Sequence, residues 1–407
     1  MQKIIDASTA EQLLHDYQPG SSFFLSSSNQ TLLAEGVFAS VQSDPSHERT
    51  ALIEHTESLL KEAKRSGTSQ HPMVVGAIPF DLTKPSRLIV PLKGQWAGPL
   101  PFGQMKNQID EPSGAEYDIH PVPTPEDYKH AVERGLDKIA AGELTKIVLS
   151  RSLHLTAKEK VDIPHLLRKL ARHNPKGYTF AVDLSGQKSL QKPTETTGGK
   201  TLLGASPELL VSRSGLQVVA NPLAGSAPRS GDPKEDQRRA SGLLASVKDR
   251  HEHAVVVDAV AQALKPYCKT LSVPKEPSLL HTETLWHLSS EIKGELIQPS
   301  TTSLELALAL HPTPAVCGTP TELARKAIHE IEPFDRGFFS GMVGWCDSKG
   351  DGEWIVTIRC AEAESHSLKL FAGAGVVEGS NPEKELAETT AKFRTMLLAM
   401  GLSSEKC

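Results

Sequence analysis

Two residues near the middle of this chain have side chains suited to acid–base chemistry. Lys146 lies in residues 144–151, an apolar run that predicts a strand. It is either an edge residue whose stem reaches water, or a partly buried amine with a lowered pKa that could serve as a general base. Glu208 follows a turn at residues 204–207. It is either a solvated turn residue or, if burial raises its pKa, a general acid.

Further carboxylates occur at helical spacing. Glu252 belongs to a polar cluster at 249–253, whose two histidines do not share a helix face and are a poor zinc pair. Glu385 and Glu388 lie one turn apart near the start of the last predicted helix and share a face with Lys392. Oxygen ligands at this spacing suit Mg²⁺, although both segments are also typical of solvated helical faces.

Candidates for anion binding lie on neighbouring predicted strands. Arg359 sits among apolar residues 356–360, where a guanidinium needs an anion or a carboxylate partner. The glycines of residues 371–375 would let backbone N–H groups approach a bound anion. His287 is a lone histidine in a predicted strand, which is more typical of a core position than of an active group. This inventory fits a magnesium-assisted reaction on a small dianionic substrate, but it does not name the substrate.

The elements that would position these residues are mostly strands in runs. Strands are predicted at residues 22–25, 74–78, 87–90, 144–151, 178–184, 201–204, 209–212, 285–292, 339–347, 354–361 and 368–374. Helices are predicted from Thr124, with Pro125 in first position, and at 163–172, 233–264 with a break near His251, 303–310, 322–330 and 382–400. Residues 108–123 are predicted to be a connector. Runs of strands joined by tight turns such as 348–352 predict an α+β fold with antiparallel sheets and helices outside them.

The composition excludes several classes of protein. Apolar residues make up 38% and charged residues 23% of the 407 residues, which is typical of a globular chain. The net charge of −5 gives no electrostatic reason to expect a nucleic-acid partner. No secretory signal is expected, because residues 1–20 contain no apolar h-region and no small-residue cleavage site. No membrane span is expected, because no apolar run of about 18 residues is present. The five cysteines form no CxxC pair, which indicates free thiols in a reducing cytoplasm.

A set of motifs resembles the chorismate-utilising enzymes, and most closely their isochorismate synthase branch from catecholate siderophore pathways. The motifs run in family order over roughly residues 120–400, at 146–151, 204–208, 221–226, 249–253, 285–288, 311–318, 337–341, 358–359, 371–375 and 388–392. The resemblance implies two large antiparallel sheets packed as a sandwich, with helices outside and the site in a cleft between the sheets. Residues 1–115 would be integrated into the same fold, 116–402 would form the chorismate-binding catalytic region, and 403–407 would be a tail.

The resemblance also implies a reaction and a role for each site residue. The expected reaction is the Mg²⁺-dependent conversion of chorismate to isochorismate, in which water adds at C2 and the C4 hydroxyl leaves. Lys146 would activate the water, and Glu208 would protonate the leaving hydroxyl. Glu252 and Glu388 would hold Mg²⁺, with Glu385 nearby. The residues expected to bind or orient the substrate are Gly225, His287, Ala315, Val316, Arg359, Gly373 and Lys392.

Two positions depart from the family pattern. Residues 226–229 are Ser-Ala-Pro-Arg where many relatives have Thr-Arg-Pro-Arg, which puts the usual part of Arg229 in question. Val316 replaces the Leu expected in relatives of the siderophore branch, a mild change in the wall of the pocket.

Several alternatives stay open within the same family. Salicylate synthases keep a lysine at the position of Lys146 but also eliminate pyruvate, and the menaquinone branch makes the same product. Anthranilate and aminodeoxychorismate synthases generally lack that lysine, so no glutamine amidotransferase partner is expected. A non-catalytic subunit would predict substitutions at Lys146, Glu208, Glu252 or Glu388, and all four are present. The expected partner is chorismate alone, bound by a monomer, with contact to a downstream isochorismatase left open.

Overall fold

The structure, a computed structural model, describes residues 9–41, 49–101, 116–185 and 199–402. Its helices are α1 (Ala10–His15), α2 (Arg49–Arg65), α3 (Pro125–Ala140), α4 (Ile163–His173), α5 (Pro233–Ala245), α6 (Val247–Leu264), α7 (Ser303–Leu310), α8 (Thr321–Ile331) and α9 (Pro382–Ala399). Its strands are β1 (Ser22–Ser26), β2 (Thr31–Glu35), β3 (Ala39–Val41), β4 (Met73–Ile78), β5 (Arg87–Val90), β6 (Lys93–Ala97), β7 (Tyr117–Val122), β8 (Lys146–Ala157), β9 (Tyr178–Asp183), β10 (Lys200–Ser206), β11 (Leu209–Ser214), β12 (Gln217–Asn221), β13 (Leu223–Pro228), β14 (Cys268–Ser272), β15 (Ser278–His281), β16 (Leu285–Ser289), β17 (Ile292–Leu296), β18 (Gly318–Thr319), β19 (Met342–Asp347), β20 (Gly352–Val356), β21 (Cys360–Glu364) and β22 (Ser367–Val376).

Two large sheets and one small sheet organise these strands. The first sheet has the order β18-β8-β22-β21-β10-β9-β1-β2-β6, with β7 also paired to β8. The second has the order β14-β17-β12-β11-β20-β19-β4-β5-β3, and the small third sheet is β13-β16-β15. All strand pairs among the described residues are antiparallel. Strands that precede residue 116 pair with later strands in both large sheets, through β1 with β9 and β4 with β19.

Apolar residues between the two large sheets form the core of a sandwich. Phe23 and Phe180 of the first sheet are buried together with Val75, Trp345 and Ile355 of the second. Each large apolar side chain buried in this way contributes about 1.5–3 kcal/mol to folding. Separate apolar clusters join the first sheet to α4 and α9, and the second sheet to α6 and α7. The predicted α+β sandwich with helices outside is therefore confirmed.

Two of the points at which the chain passes between the two large sheets lie next to each other. It crosses from β10 to β11 at Glu208, and from β20 back to β21 at Arg359. The N–H of Val356 donates to the carbonyl oxygen of Glu208 at 3.1 Å, and the N–H of Ala205 donates to that of Arg359 at 3.0 Å. These bonds tie the two crossings to each other, so Glu208 and Arg359 are held side by side.

Capping residues define the starts of the helices that flank the site. The Thr124 hydroxyl accepts the N–H of Asp127 at the start of α3, as the sequence predicts. The side chain of Asn381 accepts the N–H groups of Glu383 and Lys384 at the start of α9, where proline occupies the first turn. The fixed start of α9 determines which of its residues face the sheet.

Two predicted strands are wrong in their extent, because each is a pair of strands belonging to different sheets. Residues 285–292 form β16 of the small sheet and the start of β17 of the second sheet. Residues 354–361 form β20 and the start of β21, so Arg359 lies in a crossing and not within a strand. Its backbone has φ of 51°, a conformation in which a ladder cannot continue. The strand predicted from residue 339 begins at Met342.

The remaining differences concern helices and the connector. The break predicted near His251 lies at Ser246, which is extended and caps α6 by accepting the N–H of Asp249. The sequence patterns predict neither α2 nor β7. Helix α2 buries only a narrow face, and β7 occupies residues 117–122 of the predicted connector. Residues 102–115 and the tail at 403–407 lie outside the described residues.

No helix among the described residues has the length and apolar character needed to cross a membrane. Cys268, Cys317, Cys346 and Cys360 are buried free thiols. The fifth cysteine, Cys407, lies outside the described part of the chain.

Candidate active site

A cleft at the edge of the sandwich brings the predicted site residues together. It encloses about 640 Å³ of empty space, part of which is open to solvent. Its lining includes Glu208, Gly225, Glu252, His287, Ala315, Val316, Arg359, Gly373, Glu388 and Lys392. Lys146 reaches this lining through an ion pair with Glu252, and Glu385 lies one helical turn from Glu388. The cleft thus unites residues from the first sheet, the small sheet, the two crossings between the large sheets, and helices α6 and α9.

Lys146 is fully buried at the start of β8, with 0% of its side chain exposed. The interpretation of Lys146 as an edge residue that reaches water is therefore wrong, and the buried amine is correct. Its Nζ lies 2.8 Å from Glu252 Oε1, although the contact lacks hydrogen-bond geometry. Gly375 makes this approach possible, because a Cβ at that position would overlap Glu252 Oε1 and lie 3.1 Å from Lys146 Cε.

Glu208 is also buried, with 3% of the residue exposed, which excludes the solvated alternative. Burial raises the pKa of its carboxyl to about 7. The N–H of Leu223, 3.4 Å from Oε1, and the charges of Lys146, Arg359 and Lys392 oppose this rise. Because the pKa is near neutrality, a substantial fraction of Glu208 carries a proton that it can donate.

Three carboxylates at the cleft are each paired with a lysine. The pairs are Glu252 with Lys146 at 2.8 Å, Glu385 with Lys248 at 2.8 Å, and Glu388 with Lys392 at 2.6 Å. The solvated helical faces that the sequence left open are therefore excluded for these glutamates, all of which are at least three-quarters buried.

The carboxyl groups on α9 offer oxygen atoms to a hard cation. Oε2 of Glu385 is buried and has no hydrogen-bond partner among the described residues. Burial and the adjacent Glu388 carboxylate raise the pKa of Glu385, and Lys248 and the Ser380 hydroxyl oppose the rise. Burial also acts to raise the pKa of Glu388, but the Lys392 ammonium outweighs it and the pKa is lowered. An ionised Glu388 beside a free Glu385 oxygen fits the oxygen preference of Mg²⁺.

The protein oxygens alone do not form a complete cation site. No group of three or more His, Cys, Asp or Glu residues in the described part of the chain is placed to hold an ion by itself. Mg²⁺ commonly keeps several waters and takes one or two carboxylates together with oxygens of its substrate. The donor set therefore fits a Mg²⁺ ion whose coordination is completed by water and by a bound anion.

Arg359 supplies a buried positive charge that faces the cleft. Burial lowers its pKa to about 10, so the guanidinium stays charged at neutral pH. Among the described residues it makes no ion pair, and its Nη2 lies 3.5 Å from Nε2 of His287. Burial, Arg359 and Lys392 hold the pKa of His287 well below its ordinary value, and a backbone hydrogen bond with Gly225 opposes this. The neutral imidazole can accept from Arg359 and leave the other guanidinium donors for an anion.

Gly373 and Lys392 are linked directly. Lys392 Nζ donates to the carbonyl oxygen of Gly373 at 2.9 Å while it pairs with Glu388. A Cβ at Gly373 would lie 2.7 Å from Ser150 Oγ, so a side chain there would require the Ser150 hydroxyl to move. The absence of a side chain at Gly373 thus allows β8 and β22 to pack closely next to Lys392.

A buried ion pair holds the wall formed by Ala315 and Val316. Arg336 Nη2 lies 2.6 Å from Glu332 Oε1, and both side chains are buried. The same guanidinium donates to the carbonyl oxygens of Val316 at 2.7 Å and Val148 at 2.8 Å. Because a buried pair held by several hydrogen bonds is rigid, this clamp fixes the wall relative to β8.

Some residues at the site were missed by sequence reasoning. Ser226 Oγ donates to Glu388 Oε1 at 3.0 Å, and Ser340 lines the cleft in a left-handed backbone conformation with φ of 61°. Lys248 could have been found from its i, i+4 spacing to Glu252 on α6. Ser340 gives no such signal, because its conformation depends on the packing around it. Arg229 does not line the cleft; it pairs with Asp236 at 2.8 Å.

The chain is similar to several characterised enzymes. Residues 102–401 match the family described as chorismate binding enzyme. The isochorismate synthase DhbC of Bacillus subtilis is 62% identical over 402 residues, which cover 98% of each chain. The vibriobactin-specific isochorismate synthase of Vibrio cholerae is 42% identical over 97% of this chain and 95% of that protein.

Solved structures agree with these sequence comparisons. The crystal structure of DhbC from Bacillus anthracis superposes with a TM-score of 0.89 at 55% identity, covering 97% of this chain and 100% of that one. The anthranilate synthase component I of Streptococcus pneumoniae shares the fold, with a TM-score of 0.71 at 20% identity over 97% of this chain and 99% of that one. On the extent of the family match and of the sequence identity, this chain belongs to the chorismate-binding enzyme family.

Proposed function

We propose that this chain is an isochorismate synthase that uses water as the nucleophile. The observation that carries the proposal is that two buried proton-transfer groups meet at one cleft. Glu208 lines the cleft and titrates near neutral pH, and Lys146 reaches the cleft lining through its ion pair with Glu252. One group must accept a proton from water and the other must donate one to a leaving hydroxyl. The 62% identity to the isochorismate synthase DhbC supports the same activity.

In the proposed reaction Lys146 and Glu208 act on opposite ends of an allylic displacement. The amino group of Lys146 removes a proton from the attacking water as the C2–O bond forms. The ring double bonds shift, the C4–O bond breaks, and Glu208 donates its proton so that the hydroxyl departs as water. Atoms and charge balance, since one water enters and one leaves. Each proton transfer supplies roughly 10²–10⁴-fold of rate.

Arg359 is proposed to bind the enolpyruvyl carboxylate, together with the backbone at Gly373. Support comes from the buried guanidinium, which lacks an ion-pair partner among the described residues. His287 and Gly225 orient this guanidinium, and Lys392 assists from the other side of the cleft. Ala315 and Val316 limit the space next to the attacking water. Holding the ring between fixed groups lowers the entropy that must be lost at the transition state.

Mg²⁺ is proposed as the cofactor, with Glu252 and Glu388 as its ligands and Glu385 beside it through water. When bound, the ion would neutralise the ring carboxylate and fix the ring relative to the acid and the base. The buried Oε2 of Glu385 and the ionised Glu388 support this assignment. These residues also provide the negative charge that a cation needs next to Arg359 and Lys392.

The pathway is proposed to be the synthesis of a 2,3-dihydroxybenzoate-type siderophore in the cytoplasm. The printed name of the Vibrio cholerae relative, a vibriobactin-specific enzyme, and the similarity to DhbC support the siderophore branch. Buried free thiols are consistent with a reducing compartment. Complementation of two bacterial strains, one lacking its siderophore-branch enzyme and one lacking its menaquinone-branch enzyme, distinguishes the two pathways.

The test of the proposed reaction is incubation of the purified protein with chorismate, with and without Mg²⁺, followed by chromatography. A Mg²⁺-dependent equilibrium mixture of chorismate and isochorismate without pyruvate is expected. Salicylate with pyruvate would assign the chain to the salicylate synthases. Turnover that requires added glutamine and an amidotransferase would contradict water as the nucleophile and the role of Lys146.

A further inference from the structure

Lys248 has no part in the proposed reaction, yet it is paired with a proposed neighbour of the metal. Its Nζ lies 2.8 Å from Glu385 Oε1, and the pair joins α6 to α9. The Glu385 side chain is 1% exposed, whereas that of Lys248 is 34% exposed. The lysine therefore reaches from solvent to a carboxylate that is fully buried.

The surroundings of Lys248 are dominated by the carboxylates of the cleft. Lys248 and Glu252 are four residues apart on α6 and share a helix face. The Lys248 ammonium interacts by charge with Glu252 and Glu388 as well as with Glu385. It thus lies in the electrostatic field that would attract a divalent cation.

Lys248 differs from the other two lysines of the cleft because its side chain can move away from its carboxylate partner into solvent. Lys146 is 0% exposed and Lys392 is 16% exposed, and both contact groups that the proposed reaction uses. The more exposed side chain of Lys248 can swing on its flexible stem towards water, where an ammonium is strongly hydrated. Its departure would leave the Glu385 carboxylate without its paired ammonium, and Oε2 already lacks a hydrogen-bond partner among the described residues.

We propose that Lys248 is an internal counter-ion of the metal site, which neutralises Glu385 in the metal-free protein and thereby lowers the affinity of the site for Mg²⁺. This inference rests on the metal site of the proposed function. Without Lys248, the buried charge of Glu385 would be uncompensated when no ion is bound, which destabilises a folded protein. With Lys248 present, an incoming cation must overcome a like charge or displace it. Lys248 therefore stabilises the metal-free protein and lowers its affinity for Mg²⁺.

The test is a calorimetric titration of Mg²⁺ into the full-length protein without substrate, at mildly alkaline pH so that the carboxyl groups are ionised. Lys248→Met is expected to bind Mg²⁺ about fivefold more tightly than the wild type, the effect of removing one half-exposed charge from the site. Lys248→Arg keeps the charge and is expected to bind like the wild type. Lys129→Met is the matched control, because Lys129 also pairs with a glutamate of α9 at 2.8 Å, but that glutamate, Glu383, is 69% exposed and does not line the cleft.

The outcomes separate this inference from the proposed function. Unchanged or weaker Mg²⁺ binding by Lys248→Met, in a preparation where the wild type does bind, would overturn the counter-ion role and leave the metal site intact. An equal gain in Lys129→Met would overturn it too, since the effect would then be general to α9. Absence of Mg²⁺ binding in every variant and in the wild type, both without any anion and with the unreactive carboxylate benzoate present, would overturn the metal site itself and the inference with it.

Discussion

Replacement of Glu208 by Gln should remove the general acid while it preserves the shape of the cleft. The amide cannot donate the proton that the departing hydroxyl needs, so kcat is expected to fall by roughly 10²–10⁴-fold. Since burial raises the pKa of Glu208 to about 7, wild-type kcat/KM should decline as pH rises through that value. The residual activity of the variant should lack this decline, because no proton is lost at residue 208.

The same substitution has a consequence for stability whose size follows from the pKa. A carboxyl with an ordinary pKa of 4.5 that titrates at about 7 in the folded protein binds its proton more tightly when folded. Its stabilising contribution is complete below the unfolded value and is lost as pH rises through about 7. This change corresponds to about 3 kcal/mol of unfolding free energy. Glu208→Gln cannot titrate, so its stability should fall less with rising pH, by about that amount.

Urea denaturation at about pH 5 and about pH 8.5 measures the difference, alongside the chromatographic assay of product at the same pH values. Glu353→Gln is the matched control, because Glu353 is a buried carboxyl on β20 that does not line the cleft. If Glu208→Gln keeps the decline in activity above neutrality, or loses as much stability with pH as the wild type, Glu208 is not the group that titrates and cannot be the acid.

Three further substitutions test the base, the metal and the packing of the site. Lys146→Gln should lower isochorismate formation by at least about 100-fold while chorismate still binds by calorimetry, and loss of binding would argue against a role as base. Glu388→Ala should raise the Mg²⁺ concentration for half-maximal activity by about tenfold or more, and an unchanged Mg²⁺ titration would remove it from the metal site. Gly375→Ala should lower kcat by about tenfold or more, because the added Cβ overlaps Glu252 Oε1; Gly242→Ala, with no atom within 4 Å of its added Cβ, should be unaffected. Wild-type turnover in Gly375→Ala would show that the contact between Lys146 and Glu252 is not needed.

Sequence patterns predict helices and strands well where a capping residue or a regular spacing of apolar residues marks their bounds. The start of α3 at Thr124 and the span of α7 follow from capping residues and apolar spacing, and both are confirmed. Residues 354–361 look like a single strand because their apolar pattern is almost uninterrupted, and residues 285–292 look like one because no Gly or Pro divides them. The point at which each run changes sheet depends on partners distant in sequence, so no local pattern reveals it.

The sequence predicts which residues form the site better than it predicts the burial and the protonation chemistry of each one. Taken one at a time, Lys146 and Glu208 are as well explained by exposed positions, because burial is decided by the packing of both sheets. The family motifs brought these residues together correctly. The pairing of Lys248 with Glu385, 137 residues further along the chain, joins two helices that no motif connects.

Because the two neighbouring crossings connect the large sheets, the sandwich core helps to set the distance between the acid and the base. Glu208 and Arg359 sit where the chain leaves one sheet for the other, whereas Lys146 belongs to the first sheet alone. The distance between acid and base therefore depends on how far apart the sheets stand, and the side chains between them, such as Ile355 and Phe180, set that thickness. Substitutions that change the volume of these core side chains would therefore alter kcat as well as stability. Sequence variation far from the cleft could in this way adjust the rate in small steps.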